Sequence, residues 1–598
     1  SRAYHILRGG AGDDVVDLDS GASLNFTTLG AVIGYADGQN GADTISYARF
    51  TAGETVLVNL PAEQATGFNN SNPGSVGAAI NFENAIGGAS DDTFISTSDD
   101  NNFNGGAGND TYIFDDNWGS DTVADTSGGG DTFDFSRVTT PITFTLGSIY
   151  AINGSNSATH TGNDIEHLIG GAADDLFIFS ANGVQFTNGT GTLDGNGGVN
   201  TIDYAAYTNP VSVNLALGTA TGTSGILNFR DVIGGTGNDT LVGDSQDNIL
   251  RGNGGNDSID GGAGIDTLDE SNAAVSINVD LSTTAPQNSG RGTVTYQNLE
   301  YVLTGSGNDL ITSSIANNIL RGGAGDDTYR FKDGWGADTV VDTAGSDTID
   351  FVLANNGVTF NPASSEVVNG ANNVTYLGIE SLVGSSGNDT FNIVGALTHT
   401  LRGGAGNDAF VFADGATLTG TVDGQSGTDT LNFSNLQSPI SVALTSVGST
   451  DGFNGTDAAI SGGFYNVDNL IGTGGSDTLN VSTATNTWKF EVGNLKLEVG
   501  SNSLTFSNFD TLYGSIGADT FAFADGADFV GTIDGKGGTD TLDFSAYLTG
   551  RNVVLTSVGV VDGFNLTVAN IGATFLNINI LVGSIATDSL TGLTSGAW

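Results

Sequence analysis

The amino-acid sequence predicts an all-β fold, a right-handed parallel β-roll or β-solenoid with glycine–aspartate turns and strand-rich spacer modules. Three observations predict it. From Gly234 to Asp269 the chain divides without gaps into four nonapeptides, GGTGNDTLV, GDSQDNILR, GNGGNDSID and GGAGIDTLD. Turns of the same composition return elsewhere at a step of two nonapeptides, at Asp92 and Asp110 and again at Asp309 and Asp327, each pair with an asparagine midway (Asn101, Asn318). Glycine interrupts every apolar run, and period-two alternation takes the place of a helical pattern.

The nonapeptide G-G-x-G-x-D-x-U-x accounts for its own spacing. Glycine enters the left-handed region without a Cβ clash, which allows a tight turn. The turn then presents backbone carbonyls and one carboxylate, hard oxygen ligands suited to calcium. The apolar eighth residue sits on a very short strand and points inward. Two turns and two strands make a coil of two nonapeptides, which places Asp239 over Asp257 on one edge and Asn248 over Asp266 on the other. Calcium is expected between the stacked turns, as in β-helix repeats of this pattern.

The box recurs as GGAGDDVVD at Gly9, GGAADDLFI at Gly170, GSSGNDTFN at Gly384, GGAGNDAFV at Gly403 and GSIGADTFA at Gly514. A second acidic turn follows in DGQNGADTISYA at Asp37, DGQSGTDTLNFS at Asp423 and DGKGGTDTLDFS at Asp534. An alternating segment comes next, such as VSVNLALGTATG from Val211 or ISVALTSVG from Ile440, and reads as strand. A lead-in such as INFENAIGG or YNVDNLIGT then opens the next box. The expected metal ligands are Asp14, Asp43, Asp92, Asp110, Asp175, Asp239, Asp257, Asp266, Asp309, Asp327, Asp389, Asp408, Asp429, Asp477, Asp519 and Asp540.

The last two cassettes align with each other without a gap, Asp408 with Asp519, Asp429 with Asp540 and Asp477 with Asp588, and DGFN recurs in the same alignment at Asp451 and Asp562. Six segments are expected: a first cassette over 1–86, cassettes with strand spacers over 87–233, and the tandem nonapeptides with their spacer over 234–303. Single cassettes over 304–402, 403–513 and 514–598 complete the series, the last expected to be truncated. No helix and no Pro-rich linker divides them, so the chain reads as one array of modules leaning on their neighbours.

Composition fits this reading. Acidic residues number 67 against 15 Lys plus Arg, a formal charge of -52, yet 38% of residues are hydrophobic and 32 are Phe, unlike a disordered acidic tail. Compaction of so much like charge calls for a cation. Nucleic acid is excluded as a partner, since no basic patch exists to neutralise phosphates. With no cysteine, disulfides and thiolate metal sites are ruled out, and no apolar run is long enough to predict a membrane span. No signal peptide is visible at Ser1 and Met is absent, so the sequence is expected to be processed or a fragment of something longer.

No catalytic residues are expected. Neither HExxH nor GxSxG occurs. His5 and His399 precede ILRGG and TLRGG, the slot that Asn318 and Asn248 hold elsewhere, while His160 and His167 flank a lead-in with no second pair to make a zinc site. With 67 acidic residues, a glycosidase-like carboxylate pair carries no information. The FDF, FVF and FAF triplets at Phe133, Phe410 and Phe521 are expected in the core.

The GGxGxDxUx boxes, such as Gly261 to Asp269, resemble those of the repeats-in-toxin (RTX, haemolysin-type calcium-binding) family. The spacers DTISYA from Asp43 and VSVNLALGTATG from Val211 are similar to spacers of large RTX surface proteins and adhesins. The resemblance implies export, commonly by a type I system, and calcium-triggered folding outside the bacterial cell. The resemblance does not fix the activity; an array with no catalytic cluster, whose cassette could continue beyond both ends, is expected to be structural or adhesive, as a fibre, surface layer or adhesin segment, and its exposed end coils to allow self-association into filaments or a layer. The alternative is the carrier region of a secreted hydrolase or toxin whose catalytic domain lies outside this chain; a lyase-like β-helix enzyme is a third reading. This sequence departs from compact toxins in dispersing its boxes among long spacers and in placing Asn or His at several sixth positions.

Overall fold

The computed structural model of the chain describes residues 6–11, 15–19, 35–40, 42–49, 57–59, 64–66, 76–80, 82–125, 128–147, 149–160, 164–482 and 485–593. Among these residues the secondary structure is β-strand, with two short 3-10 turns at Phe186–Gly189 and Pro362–Ser364 and no α-helix. Among the described residues no helix is long and apolar enough to cross a membrane. The chain forms two compact units, one of Ser1–Ala273 with Thr283–Leu303, the other of Ala274–Ser282 with Thr304–Trp598.

In the first unit the tandem nonapeptides fold into coils of two repeats each. Thr240–Val242 pairs in parallel with Ser258–Asp260, Leu241 opposite Ile259. Ile249–Arg251 pairs in parallel with Thr267–Asp269, Leu250 opposite Leu268. The central residue of each three-residue strand is buried, as the eighth position requires. In the second unit Leu310–Thr312, Thr328–Lys332, Thr348–Leu353 and Ser381–Val383 stack in the same manner, Ile311 opposite Tyr329, Tyr329 opposite Ile349 and Ile349 opposite Leu382. The parallel β-roll expected from the nonapeptides is thus the fold of both units.

In-register parallel pairing puts like residues on top of one another. Phe360, Phe391 and Phe410 form a column with ring centroids 4.3 and 4.8 Å apart, and Phe490 stacks on Phe523 at 4.1 Å. The phenylalanines of the triplets at Phe133, Phe410 and Phe521 are buried, with Phe410 and Phe523 in these columns.

Coils lengthen by insertion. Thr143–Leu146, Ile149–Asn153 and Asn156–His160 form an antiparallel meander, but its first and last strands also pair in parallel with strands of the neighbouring coils. The same device appears at Thr359–Asn361, Glu366–Asn369 and Asn372–Leu377, and at Thr487–Glu491, Asn494–Val499 and Asn502–Ser507. Only the middle strand is bonded antiparallel on both sides, so the stack continues past the insertion. The last of these meanders is the non-repetitive segment around Trp488, which is fully buried.

Gly237, the fourth residue of its box, departs from the expectation of a left-handed glycine: it does not adopt a positive φ. What forbids a side chain there is close approach: a Cβ would lie 2.5 Å from the carbonyl of Asn209 and 2.7 Å from Pro210 N. Its counterpart Gly255, one coil later, does have a positive φ of 136°, and a Cβ there would lie 1.7 Å from Gly237 O.

Candidate metal centres

Each turn hands its carboxylate to the coil before it. The N–H of Asp239 donates to Asp257 Oδ1 at 2.8 Å, and the N–H of Asn248 donates to Asp266 Oδ1 at 2.8 Å, each one coil apart. The two expected edges are therefore present. Asp92 donates to Asp110 Oδ1 and Asp110 to Asp131 Oδ1, both at 2.7 Å. Asp309 donates to Asp327 Oδ1 at 2.7 Å and Asp327 to Asp347 Oδ1 at 2.8 Å. Asp389 donates to Asp408 Oδ1, Asp408 to Asp429 Oδ1 and Asp519 to Asp540 Oδ1, at 2.8 to 2.9 Å. On the opposite edge Asn101 and Asn318 donate to Asp121 and Asp338.

The ladder ends on residues that sequence reasoning passed over. Asp43, Asp131, Asp266 and Asp347 donate to Glu83, Glu166, Glu300 and Glu380, all in lead-in segments. Asp429 and Asp477 donate to Asp468 and Asp510, and Asp540 to Asn579, in the same slot. The signal was available: INFENAIGG and YNVDNLIGT carry the terminal acceptor, Glu83 or Asp468, two residues before the buried Ala85 or Leu470. Of the expected ligands, Asp14 lies outside the described residues, and the other fifteen are buried on these edges.

Most turns fall into two kinds; Asp309 fits neither, since its Oδ1 accepts from Ile277 N–H, its second residue Gly305 lacks a positive φ, and its buried Oδ2 has no hydrogen-bond partner. In a leading turn the second residue donates its N–H to the other carboxylate oxygen: Gly88 to Asp92, Gly171 to Asp175, Gly235 to Asp239, Ser385 to Asp389, Thr473 to Asp477 and Ser515 to Asp519, at 2.6 to 2.7 Å. For Asp175, Asp239, Asp389, Asp477 and Asp519 both oxygens thus accept backbone N–H groups, since Ile142, Val211, Val358, Ile440 and Asn486 occupy Oδ1. In a following turn the second residue has a positive φ, as at Gly262 (99°), Gln425 (69°) and Lys536 (69°). Its N–H donates instead to the aspartate two residues back, Asp260, Asp423 or Asp534. The sixth-position carboxylate then keeps a buried Oδ2 with no hydrogen-bond partner, as at Asp110, Asp131, Asp266, Asp327, Asp408, Asp429 and Asp540.

Those open oxygens fit a cation. A buried carboxylate oxygen without a partner is costly, and a positive ion is the partner that removes the cost. Burial first, and the negative neighbours along the ladder second, push Asp327, Asp408 and Asp540 up to about 7 and Asp429 to about 8, against the pull of the N–H bonds. Burial raises the capped Asp175 and Asp389 less, to about 6.

Side chains from outside the sixth positions join the ladder in three places. Asp110, Asp125 and Asp131 each offer an oxygen within 4.8 Å of the others, as do Asp327, Asp342 and Asp347, and Asp429, Asp451 and Asp468. The third cluster has a counterpart in the last cassette with one charge fewer: Asp540 and Asp562 are present, and Asn579 stands in place of Asp468. The repeated DGFN marked Asp451 and Asp562 in the sequence, but not their approach to Asp429 and Asp540.

Among the described residues no histidine joins a group of possible metal ligands. His160 is buried against Phe133 with Nδ1 3.1 Å from Val123 O, and His167 Nδ1 lies 2.6 Å from Thr192 Oγ1. His399 stands two residues before the buried Leu401, as Asn248 does before Leu250. His5 is outside the described residues.

Six segments, residues 6–23, 86–123, 233–268, 300–331, 332–350 and 508–530, match the family model described as RTX calcium-binding nonapeptide repeat (4 copies). No curated protein matches the chain. The matched segments hold Asp92, Asp110, Asp239, Asp257, Asp309, Asp327 and Asp519, and the ladder runs on with the same geometry through Asp408 and Asp429 between them. The chain therefore carries RTX calcium-binding repeats folded as a parallel β-roll, and calcium is the ion these repeats bind.

Proposed function

We propose that the chain is an extracellular structural or adhesive protein of the bacterial surface, a segment of a fibre, surface layer or adhesin, which folds after export when calcium fills its turns. The observation that carries this reading is the row of buried, partnerless Oδ2 atoms on the following turns. They are the ligand atoms we assign first, with the leading aspartates Asp92, Asp175, Asp239, Asp389, Asp477 and Asp519 holding turn geometry through their N–H bonds. A chain of formal charge -52 gains most from an ion where a low-calcium interior gives way to a calcium-rich exterior. The gapless repetition of the cassette, Asp408 onto Asp519 and Asp429 onto Asp540, supports a scaffolding role, since each copy adds surface without adding a new kind of site. Self-association through calcium-ordered coils belongs to the same reading.

The test is calcium removal from the intact chain. Chelation at neutral pH should lower the β content by circular dichroism, lower the melting temperature and open the chain to proteases, and Trp118, Trp335 and Trp488, now buried, should shift their fluorescence to the red. Calcium should reverse all four and magnesium should do so poorly, because it requires a tighter octahedral shell. A spectrum and melting point unchanged by excess chelator would end the proposal.

A further inference from the structure

We propose that Asp110, Asp125 and Asp131 in one compact unit, and Asp327, Asp342 and Asp347 in the other, form a matched pair of side-chain calcium centres that bind more tightly than the nonapeptide turns and fill before them. The proposal rests on the calcium-binding reading only for the identity of the ion.

The two clusters are copies of one design. GGAGNDTYIFDDNWGSDTVADTSGGGDTFDF begins at Gly105 and GGAGDDTYRFKDGWGADTVVDTAGSDTIDF at Gly322, differing in length by a single residue ahead of the last aspartate. All three carboxylates of each cluster are buried, none more than 3% exposed. Asp110, Asp131 and Asp327 each have an Oδ2 with no hydrogen-bond partner, and every member offers an oxygen within 4.8 Å of the other two. Ions with bonds of about 2.3–2.6 Å place opposite ligands about 5 Å apart, whereas the shorter bonds of magnesium, about 2.0–2.1 Å, draw them to about 4 Å. Oxygens within 4.8 Å of one another can share an ion of calcium's size.

A second observation is independent of the acids. The eighth residue of an ordinary box is aliphatic or Phe, but in these two boxes it is Tyr112 and Tyr329. Each phenol is buried, accepts an N–H from the first glycine of its own box, and donates to the third acid. Gly105 N–H reaches Tyr112 Oη at 2.7 Å and the hydroxyl reaches Asp125 Oδ2 at 2.6 Å. Gly322 N–H reaches Tyr329 Oη at 2.5 Å and the hydroxyl reaches Asp342 Oδ2 at 2.5 Å. The tyrosine appears with the added carboxylate and fixes it. Asp342 takes the first position of its turn, normally glycine, where a Cβ lies close to the sixth-position carboxylate, 2.0 Å from Asp327 Oδ2 in the case of Gly322. A side chain at that crowded place aims a third negative charge at two others. Asp110 Oδ1 and Asp131 Oδ1 are already fixed by N–H groups of Asp92 and Asp110. Three fixed charges against one per ordinary turn should give the higher affinity, since calcium affinity follows ligand charge and rigidity. The Asp429 cluster is more open at Asp451 and Asp468 and falls in the weaker class.

The experiment is a calcium titration of the full chain after calcium depletion, by calorimetry, with terbium luminescence excited through tyrosine as a second signal. Two ions should bind in a tight class ahead of the rest. Asp125→Asn and Asp342→Asn should each remove one, weakening it at least about tenfold, and the double variant should remove both while the weaker class and the calcium-induced β-structure persist. A double variant that keeps two tight ions overturns the proposal, as does a wild-type chain that binds calcium in a single weak class. A chain that binds no calcium at all would instead overturn the reading on which this one rests. Should either Asn variant fail to regain β-structure in excess calcium, the Tyr112→Phe and Tyr329→Phe double variant decides: a weakened tight class supports the proposal and an unchanged one overturns it.

Discussion

Asp389 and Asp408 occupy the same box position one coil apart, yet the backbone treats them differently. Asp389 accepts N–H groups on both oxygens, from Val358 and Ser385, while Asp408 accepts one and leaves Oδ2 open. Substituting the isosteric amide separates the two jobs. Asp408→Asn should weaken calcium binding locally by about tenfold, ~1.4 kcal/mol, with little change in the urea midpoint of the calcium-free chain. Asp389→Asn should leave calcium affinity nearly intact and lower stability by about 1.5–3 kcal/mol, through loss of charged hydrogen bonds. Calcium titration and urea unfolding of the two variants check this; equal effects on affinity would mean that capped carboxylates also ligate. The distinction was half legible in the sequence. Serine or threonine at the second position goes with the leading turn at Ser385, Thr473 and Ser515, whereas the following turn places Gly262, Gln425 and Lys536 there at positive φ. Gly88, Gly171 and Gly235 satisfy either kind and so conceal which one they form.

The three-residue strands owe their position to one buried residue each, and that was readable. A three-residue strand has a single inward side chain, so the nonapeptide period and the apolar eighth position fix both the strand and its facing. Pairing at one coil length then follows, and with it the columns of Phe. Removing a central member should leave a cavity flanked by two rings: Phe391→Ala should cost about 3–5 kcal/mol in saturating calcium, read from the urea midpoint, against a much smaller effect at the exposed Val352. The meanders were not readable. Alternation in ISVALTSVG or around Trp488 announces strand but not its direction, because parallel and antiparallel neighbours use the same period of two. Nor did the sequence expose the long-range partners of Asp125 and Asp342, which depend on where a coil of altered length returns its side chain.

Across the whole chain, protons and calcium compete for one set of oxygens. Asp110, Asp131, Asp327, Asp408 and Asp540 titrate near 7 and Asp429 near 8 in the folded state, where burial is the main cause, against about 4 for an unfolded aspartate. A raised folded value means that the protonated group favours the native state: this contribution is complete below about pH 4 and is lost as the pH rises through 7 to 8. Calcium-depleted protein should therefore melt at a higher temperature at pH 5 than at pH 8, and the reverse order would contradict the burial of these groups. With calcium the trend should invert, apparent affinity climbing from pH 6 to pH 8 as the metal displaces fewer protons.

The ladder also has a sense of direction. Among the described residues every sixth-position rung runs from an N–H in one coil to a carboxylate or amide oxygen in the next coil along the chain, and none runs backwards. A stack built this way is polar in the manner of a row of arrows. At the sixth positions, the face of a stack nearer the N-terminus shows acceptors awaiting an amide, and the face nearer the C-terminus shows amides awaiting an acceptor. Turning one stack over against another would set like against like. Any join between copies that continues the ladder must therefore be head-to-tail and not two-fold, and such a join stays open unless its rotation closes a ring.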